Sequence, residues 1–408
     1  MDAARIAPLA DTGFDPVRLD AIDAFVRARY LDSGKLPHAQ LLIAREGRIV
    51  HFSHQGAARE GGAAVDERSI FRIASMTKPV TSIAFMQLVE EGKVALDTPV
   101  HHALPELKGV GVYDGGGGGV PFVTRPTAAP MRMVDLLRHT SGLTYGFQNR
   151  GNIDAAYRAG KIENWHGNLD LDGFVAALGK LPLEFSPGEA WNYSVSTDVL
   201  GAVVERIAGM PLDRVFEERI FAPLGMADTG FWVPAEQVDR LTDCWTVVQG
   251  SRVMYDQGAK SAWSRRPTLL SGGGGLVSTT LDYHRFATML LNGGTLDGAR
   301  IIGRKTLELM TANHLPGGRD LASMSRSLFS ETQNAGTGFG LGFAVNLDPA
   351  RSMIPGSIGE FYWGGMFSTA FFVDPVERIT MIFMTQLSPS GLYPIRRELK
   401  TMIYSALV

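Results

Sequence analysis

Cysteine is almost missing from this 408-residue sequence, and the single Cys244 permits neither an intramolecular disulfide nor a multi-cysteine metal site. No uninterrupted apolar run reaches about 18 residues, so no transmembrane helix is expected. The opening stretch carries acids early and lacks a continuous apolar segment, which argues against a signal peptide. Neither sign of charge dominates. The 39 Lys and Arg stand against 42 Asp and Glu, a net charge of −3, which argues against a broad nucleic-acid-binding surface. Despite 47 glycines there is no Gly-x-Gly-x-x-Gly and no Gly-x-x-x-x-Gly-Lys-Ser/Thr. The clusters Gly115–Gly119 and Gly272–Gly275 therefore read as loops rather than phosphate cradles. The Gly-x-Ser-x-Gly elbow of α/β-hydrolases and the zinc-binding His-Glu-x-x-His are missing too. His51 and His54 sit three apart on an expected strand and point to opposite faces, so no metal site and no cofactor are expected. These exclusions lead to the expectation of a soluble, cytoplasmic, globular protein, with neither nucleic acid nor membrane as partner.

What is present is ample material for a core: 45% hydrophobic residues, with 21 Phe, 10 Tyr and 6 Trp. Near the N-terminus, Val17–Tyr30 has helical spacing, and the apolar runs Gln40–Ala44 and Arg48–Ser53 flank a Gly-containing turn, as in a β-hairpin. The pattern recurs near the C-terminus with Ser368–Val373 and Arg378–Thr385 around a turn, and Gly338–Val345 and Gly359–Trp363 read as two further strands. Leu392–Leu407 closes as an amphipathic helix. Strands joined by tight turns must be antiparallel. Between these ends, Met131–His139, Leu171–Leu178, Thr197–Ile207, Leu212–Phe221, Leu281–Leu291 and Arg304–Ala312 have helical spacing. The expectation is an α+β protein. Residues 1–95 and 275–408 form an antiparallel sheet flanked by terminal helices, and 96–274 form a mainly helical insert.

The chemistry concentrates in Phe71-Arg72-Ile73-Ala74-Ser75-Met76-Thr77-Lys78. It leads into the helical stretch Val80–Glu90, and residues i and i+3 share a helix face, so Ser75 and Lys78 can converge. At a helix start, unpaired N–H groups and the positive end of the dipole favour an oxyanion. A lysine amine can take the serine proton only as the neutral base, and its ordinary pKa of ~10.4 would have to be lowered by its surroundings. Four residues are a weak signal by themselves. Two further clusters strengthen it: Trp191-Asn192-Tyr193-Ser194-Val195 just before a helix, and Trp363-Gly364-Gly365-Met366 at a strand end.

In order and spacing the three clusters resemble the serine β-lactamase and penicillin-recognising superfamily, with its Ser-x-x-Lys, Tyr-x-Asn and edge-strand Lys-Thr-Gly motifs. Leu136–Leu143 and Pro223-Leu224-Gly225-Met226 are similar to the class C branch. The resemblance implies a β-lactamase-like fold with Ser75 as nucleophile. Two departures matter. Val195 replaces the motif asparagine, and Trp363 replaces the lysine that would bind a substrate carboxylate. Losing that charge-assisted contact costs on the order of 1.5–3 kcal/mol of binding. Tyr-Ser-Val with Trp-Gly-Gly resembles the family VIII carboxylesterases and the related acyltransferases.

That likeness implies an esterase in which Ser75 forms an acyl-enzyme, while Lys78 and Tyr193 share the base and acid roles. The oxyanion would be held by the backbone N–H groups of Ser75 and Met366. Gly364 and Gly365 would let the backbone approach the substrate, Trp363 would wall the pocket or pack in the core, and Tyr145 would line the pocket or simply pack. Asp198 reads as a helix cap or anchor, and Cys244 as inert. An acyltransferase using the same residues, a weak β-lactamase and a non-catalytic scaffold are the alternatives.

Overall fold

The apolar runs at the two ends of the chain pair with one another. In this computed structural model, which describes residues 12–326 and 335–408, seven strands form one sheet. The first part of the opening stretch, on which the signal-peptide reading rests, lies outside the described residues. The strands are β1 His38–Arg45, β2 Arg48–Gly56, β3 Thr337–Phe339, β4 Ala344–Asn346, β5 Phe361–Gly364, β6 Ala370–Asp374 and β7 Ile379–Met384. Their order is β3-β4-β5-β6-β7-β1-β2, and every neighbouring pair is antiparallel. The stretch Gly338–Val345, expected as one strand, is interrupted. Gly342 turns there with φ +99°, and a Cβ on it would collide with the Ser82 hydroxyl, so β3 and β4 are separate short strands.

Successive strand residues point to opposite faces, and here both faces are buried, which is why the strands read as continuous apolar runs. Leu42, Ala44, Phe371, Val373, Ile382 and Met384 face the main core. Leu41, Ile43, Phe372, Met381 and Phe383 face a second core with Leu19, Ile22 and Val26 of α1 (Pro16–Val26) and Ile395, Leu399 and Ile403 of the C-terminal helix. Helix α1 starts where the sequence marks it: the Asp15 carboxylate accepts from the Val17 N–H at 2.9 Å, and Pro16 occupies the first turn.

The main core holds α2 (Thr77–Glu90), α3 (Ser196–Ala208) and α4 (Thr280–Leu291). Eleven of the 14 residues of α2 are buried, so it is a central helix rather than an amphipathic surface one. The C-terminal helix, α5, spans Ile395–Ser405. None of the described helices is long and apolar enough to cross a membrane.

The middle of the chain holds more β-structure than its spacing implies. The glycine run read as a loop is a bulged hairpin, Val112–Gly117 with Val120–Arg125. Positive φ at Gly116, Gly117, Gly118 and Gly119 accommodates the bulges and the turn, and nearly all of Val120–Arg125 is exposed, so no apolar alternation announces it. A second hairpin, Cys244–Val248 with Ser251–Asp256, pairs in parallel with Leu387–Ser388.

Candidate active site

The nucleophile candidate sits on a strained turn. The short strand Phe71–Arg72 pairs with Val277–Ser278, and Arg72 is fully buried, donating to the Thr242 carbonyl at 2.7 Å and to Ser261 Oγ at 3.1 Å. Two residues later Ala74 has φ +44°, a conformation that L-residues avoid, and a single 3-10 turn, Ala74–Met76, carries Ser75 into α2. The Met76 carbonyl accepts from Tyr283 Oη of α4 at 2.9 Å, which ties the turn to the sheet-side helix. Such strain persists only where the surroundings over-determine it, and here a buried guanidinium and a buried phenol do so.

Three hydroxyls and one amine meet at this turn. Tyr193 Oη donates to Ser75 Oγ at 2.6 Å. Lys78 Nζ donates to Ser75 Oγ at 3.2 Å, to Tyr145 Oη at 3.0 Å and to the Gly273 carbonyl at 2.6 Å. Lys78 Nζ also lies 4.5 Å from the Tyr193 ring centroid, over the face of the phenol. Lys78 is 1% and Tyr193 5% exposed, so both groups work largely out of water. Burial, with Lys78 nearby, holds His139 well below the usual imidazole range, so this ring packs against Tyr193 as a neutral group, 5.0 Å between centroids.

Asp198, on the first turn of α3, controls what Lys78 faces. Its carboxylate accepts from the Gly273 N–H at 3.1 Å and from the Ser271 hydroxyl, and thereby fixes the loop whose Gly273 carbonyl receives Lys78. Burial raises the Asp198 carboxyl above its ordinary range, while the Lys78 charge opposes that rise. The glycines here are a steric requirement: a Cβ on Gly273 would lie 3.0 Å from Asp198 Oδ1, and one on Gly274 would lie 2.9 Å from the Trp165 ring. The run Gly272–Gly275, read as a loop, is thus part of the lysine's cradle, and no motif in the sequence announces that.

The third cluster ends β5, and it is not on a sheet edge as the resemblance implies. Strand β4 covers Phe361 and Tyr362 but stops there, so Trp363 and Gly364 pair only with Phe371 and Ala370 of β6. The last two residues of an interior strand are therefore open on one side. Trp363 is 2% exposed, with its ring centroid 5.5 Å from Tyr193 and 5.3 Å from Phe339, so it backs the tyrosine from the core. Gly365 makes the close approach: a Cβ there would stand 2.5 Å from the Ile73 carbonyl and would overlap the Thr369 hydroxyl. Met366 follows, 39% exposed.

Beside this centre lies a cavity of about 350 Å³. Tyr145, Phe147, Trp165, Tyr255, Trp263 and Met366 supply much of its wall, with Val195, Glu163 and Asp198, and no Lys or Arg is among its described lining residues. Trp165 and Trp263 meet edge to face at 5.9 Å. Trp363 does not line it, whereas Tyr145 both lines it and bonds Lys78. Glu163 accepts from the Gly146 N–H at 2.6 Å, and burial pushes its carboxyl up to about 7. No motif singles out Trp165, Trp263 or Glu163, although family likeness makes the segment Asn149–Trp165 a candidate cover for the pocket. Cys244 is buried beneath Ala74 and Phe367, where burial pushes its thiol up to about 12.

A helix-borne Ser-x-x-Lys with a tyrosine on the serine, beside an antiparallel sheet, is the arrangement of acyl-enzyme-forming serine hydrolases with a β-lactamase-like fold. The chain belongs to the Beta-lactamase family, whose pattern matches residues 22–401. It is similar to Protein Rv1367c of Mycobacterium tuberculosis, 36% identical over 377 residues that cover 91% of each chain. It is also similar to Esterase EstB of Burkholderia gladioli, 32% identical across 99% of this chain and 100% of that one. Among solved structures, EstCE1, described as a hydrolase with promiscuous acyltransferase activity, superposes with a TM-score of 0.79. That match has 26% identity and covers 95% of this chain and 98% of the other.

Proposed function

We propose that this carboxylesterase-type serine hydrolase cleaves uncharged, short-chain carboxylic esters through an acyl-enzyme on Ser75. The observation that carries the proposal is the convergence of Tyr193 Oη, at 2.6 Å, and Lys78 Nζ, at 3.2 Å, on one hydroxyl. Ser75 Oγ attacks the ester carbonyl carbon while its proton passes into the Tyr193–Lys78 pair. The oxyanion is received by the N–H groups of Ser75 and Met366. As the intermediate collapses, the carbon–oxygen bond to the alcohol breaks and the stored proton leaves with that alcohol. Water repeats the sequence in reverse, giving its proton to the pair, and the free acid and Ser75 are regenerated. Lys78 and Tyr193 share one proton, so the macroscopic steps belong to the pair.

The uncharged substrate class follows from the cavity wall. It offers aromatic rings and two carboxylates and no described cation, so an anionic β-lactam or peptidoglycan stem finds no counter-charge there. The 32% identity to Esterase EstB supports an ester as the substrate. Transfer of the acyl group to an added alcohol is the second reading, favoured by the likeness to EstCE1, and it uses the same Ser75 ester. Turnover of p-nitrophenyl acetate and butyrate, set against a chromogenic cephalosporin, tests the proposal. Ester turnover lost in Ser75→Ala, with slow or no cephalosporin opening, is the expected result. Cephalosporin turnover as fast as ester turnover would overturn the substrate class.

A further inference from the structure

The side chain of Arg396 reaches the third cluster from the second position of α5. Its Nη2 donates to the Gly365 carbonyl at 2.6 Å and to the Thr369 carbonyl at 2.7 Å. Gly364 makes room for it, since a Cβ there would lie 2.6 Å from the guanidinium carbon. The Gly365 carbonyl also accepts from the Ser368 N–H at 3.0 Å, so it is held by two donors, one of them charged.

The Gly365 carbonyl and the Met366 N–H belong to one trans peptide, and in such a unit the C=O and N–H bonds point in opposite directions. Gripping the oxygen therefore aims the N–H. A charged donor on the oxygen also draws electron density from the nitrogen, which makes that N–H a stronger donor. The turn that carries Ser75 lies beside this peptide, because a Cβ on Gly365 would stand 2.5 Å from the Ile73 carbonyl and 3.3 Å from the Ala74 methyl. Among the described residues no carbonyl accepts from the Met366 N–H, which leaves it available to a substrate.

We infer that Arg396 is a positioning residue: through the Gly365 carbonyl it orients and polarises the Met366 N–H that receives the oxyanion. This inference rests on the oxyanion reading given under the proposed function. It also accounts for the glycine at 364, since the space above it is filled by a guanidinium from the C-terminal helix.

The test is the infrared carbonyl band of the Ser75 acyl-enzyme, formed by rapid mixing with a carbonyl-labelled p-nitrophenyl ester and read beside steady-state kinetics. Wild type should show the band lowered relative to the ethyl ester of the same acid in water, which matches the alkyl ester formed on Ser75. In Arg396→Met the band should move back up and kcat should fall about 10- to 100-fold with KM unchanged, less than or up to the loss of a whole oxyanion donor. Arg396→Lys, which keeps a cation but not the fork, should lie between, and it carries the comparison if the methionine variant does not fold. A wild-type band that is not lowered would overturn the oxyanion reading itself. A lowered wild-type band that neither variant moves would overturn the role of Arg396 alone.

Discussion

Lys78 Nζ lies 3.0 Å from Tyr145 Oη and 3.2 Å from Ser75 Oγ, so a second phenol competes with the proposed nucleophile for the same amine. Tyr145 is buried, and burial holds its phenol well above the usual range, so it stays protonated and serves Lys78 as an acceptor. An acceptor favours the charged amine, which is the form that cannot act as a base. Tyr145→Phe should therefore move the acid limb of the kcat/KM–pH profile to lower pH. An unmoved limb would mean that Tyr145 only packs.

Gly365 allows the strand end to touch the nucleophile turn, with its absent Cβ 2.5 Å from the Ile73 carbonyl. Gly365→Ala must push either the β5 end or the strained Ala74 turn aside. Activity should fall at least about 100-fold, as for a displaced oxyanion donor. Stability should fall by about 1–3 kcal/mol through overpacking, read as the midpoint of urea unfolding.

Glu163 should give the protein a pH-dependent stability. Burial raises its carboxyl to about 7 from an ordinary 4.5, so the unfolded chain loses its proton first as pH rises. The folded state is then penalised progressively between pH 4.5 and about 7, and fully above that interval. Glu163→Gln keeps an acceptor for the Gly146 N–H but has no charge to bury. Its stability relative to wild type should rise across this interval by roughly 3 kcal/mol. Thermal unfolding of both proteins at pH 4 and pH 8 reads the difference directly.

Trp165 forms a cavity wall against Gly274 and Trp263. Trp165→Ala should enlarge the site and weaken apolar contact with the substrate, raising KM for butyrate esters more than for acetate esters. Each lost methylene contact is worth about 0.8 kcal/mol, so the ratio of the two KM values should shift several-fold. An equal change for both esters would place the acyl chain elsewhere.

Much of this arrangement is legible in the sequence because it depends on local patterns. The Ser75–Lys78 spacing follows from helix geometry, and the two terminal segments advertise buried strands through uninterrupted apolar runs such as Ile379–Met384. What stayed hidden depends on contacts across the chain. Gly273 reaches Lys78 from 195 residues away, and Arg396 reaches Gly365 from 31. No periodicity encodes either. The hairpin at Gly115–Gly119 was invisible for a different reason: its strands bury little, so selection for alternating apolar residues is weak there. Trp363 illustrates the limit at a single residue, since an aromatic at a strand end can face a pocket or the core, and only the packing of Phe339 and Tyr193 decides it.

The central claim is that Ser75 is the one nucleophile, driven by a coupled Lys78–Tyr193 pair. Intact-protein mass after brief exposure to a fluorophosphonate tests it most directly, with Ser75→Ala, Lys78→Ala and Tyr193→Phe treated alongside. Wild type should gain a single adduct, Ser75→Ala none, and the other two should label far more slowly, with a Lys78→Ala/Tyr193→Phe double variant little worse than either single one. A Ser75→Ala protein that still takes up the adduct and still turns over ester would contradict the account.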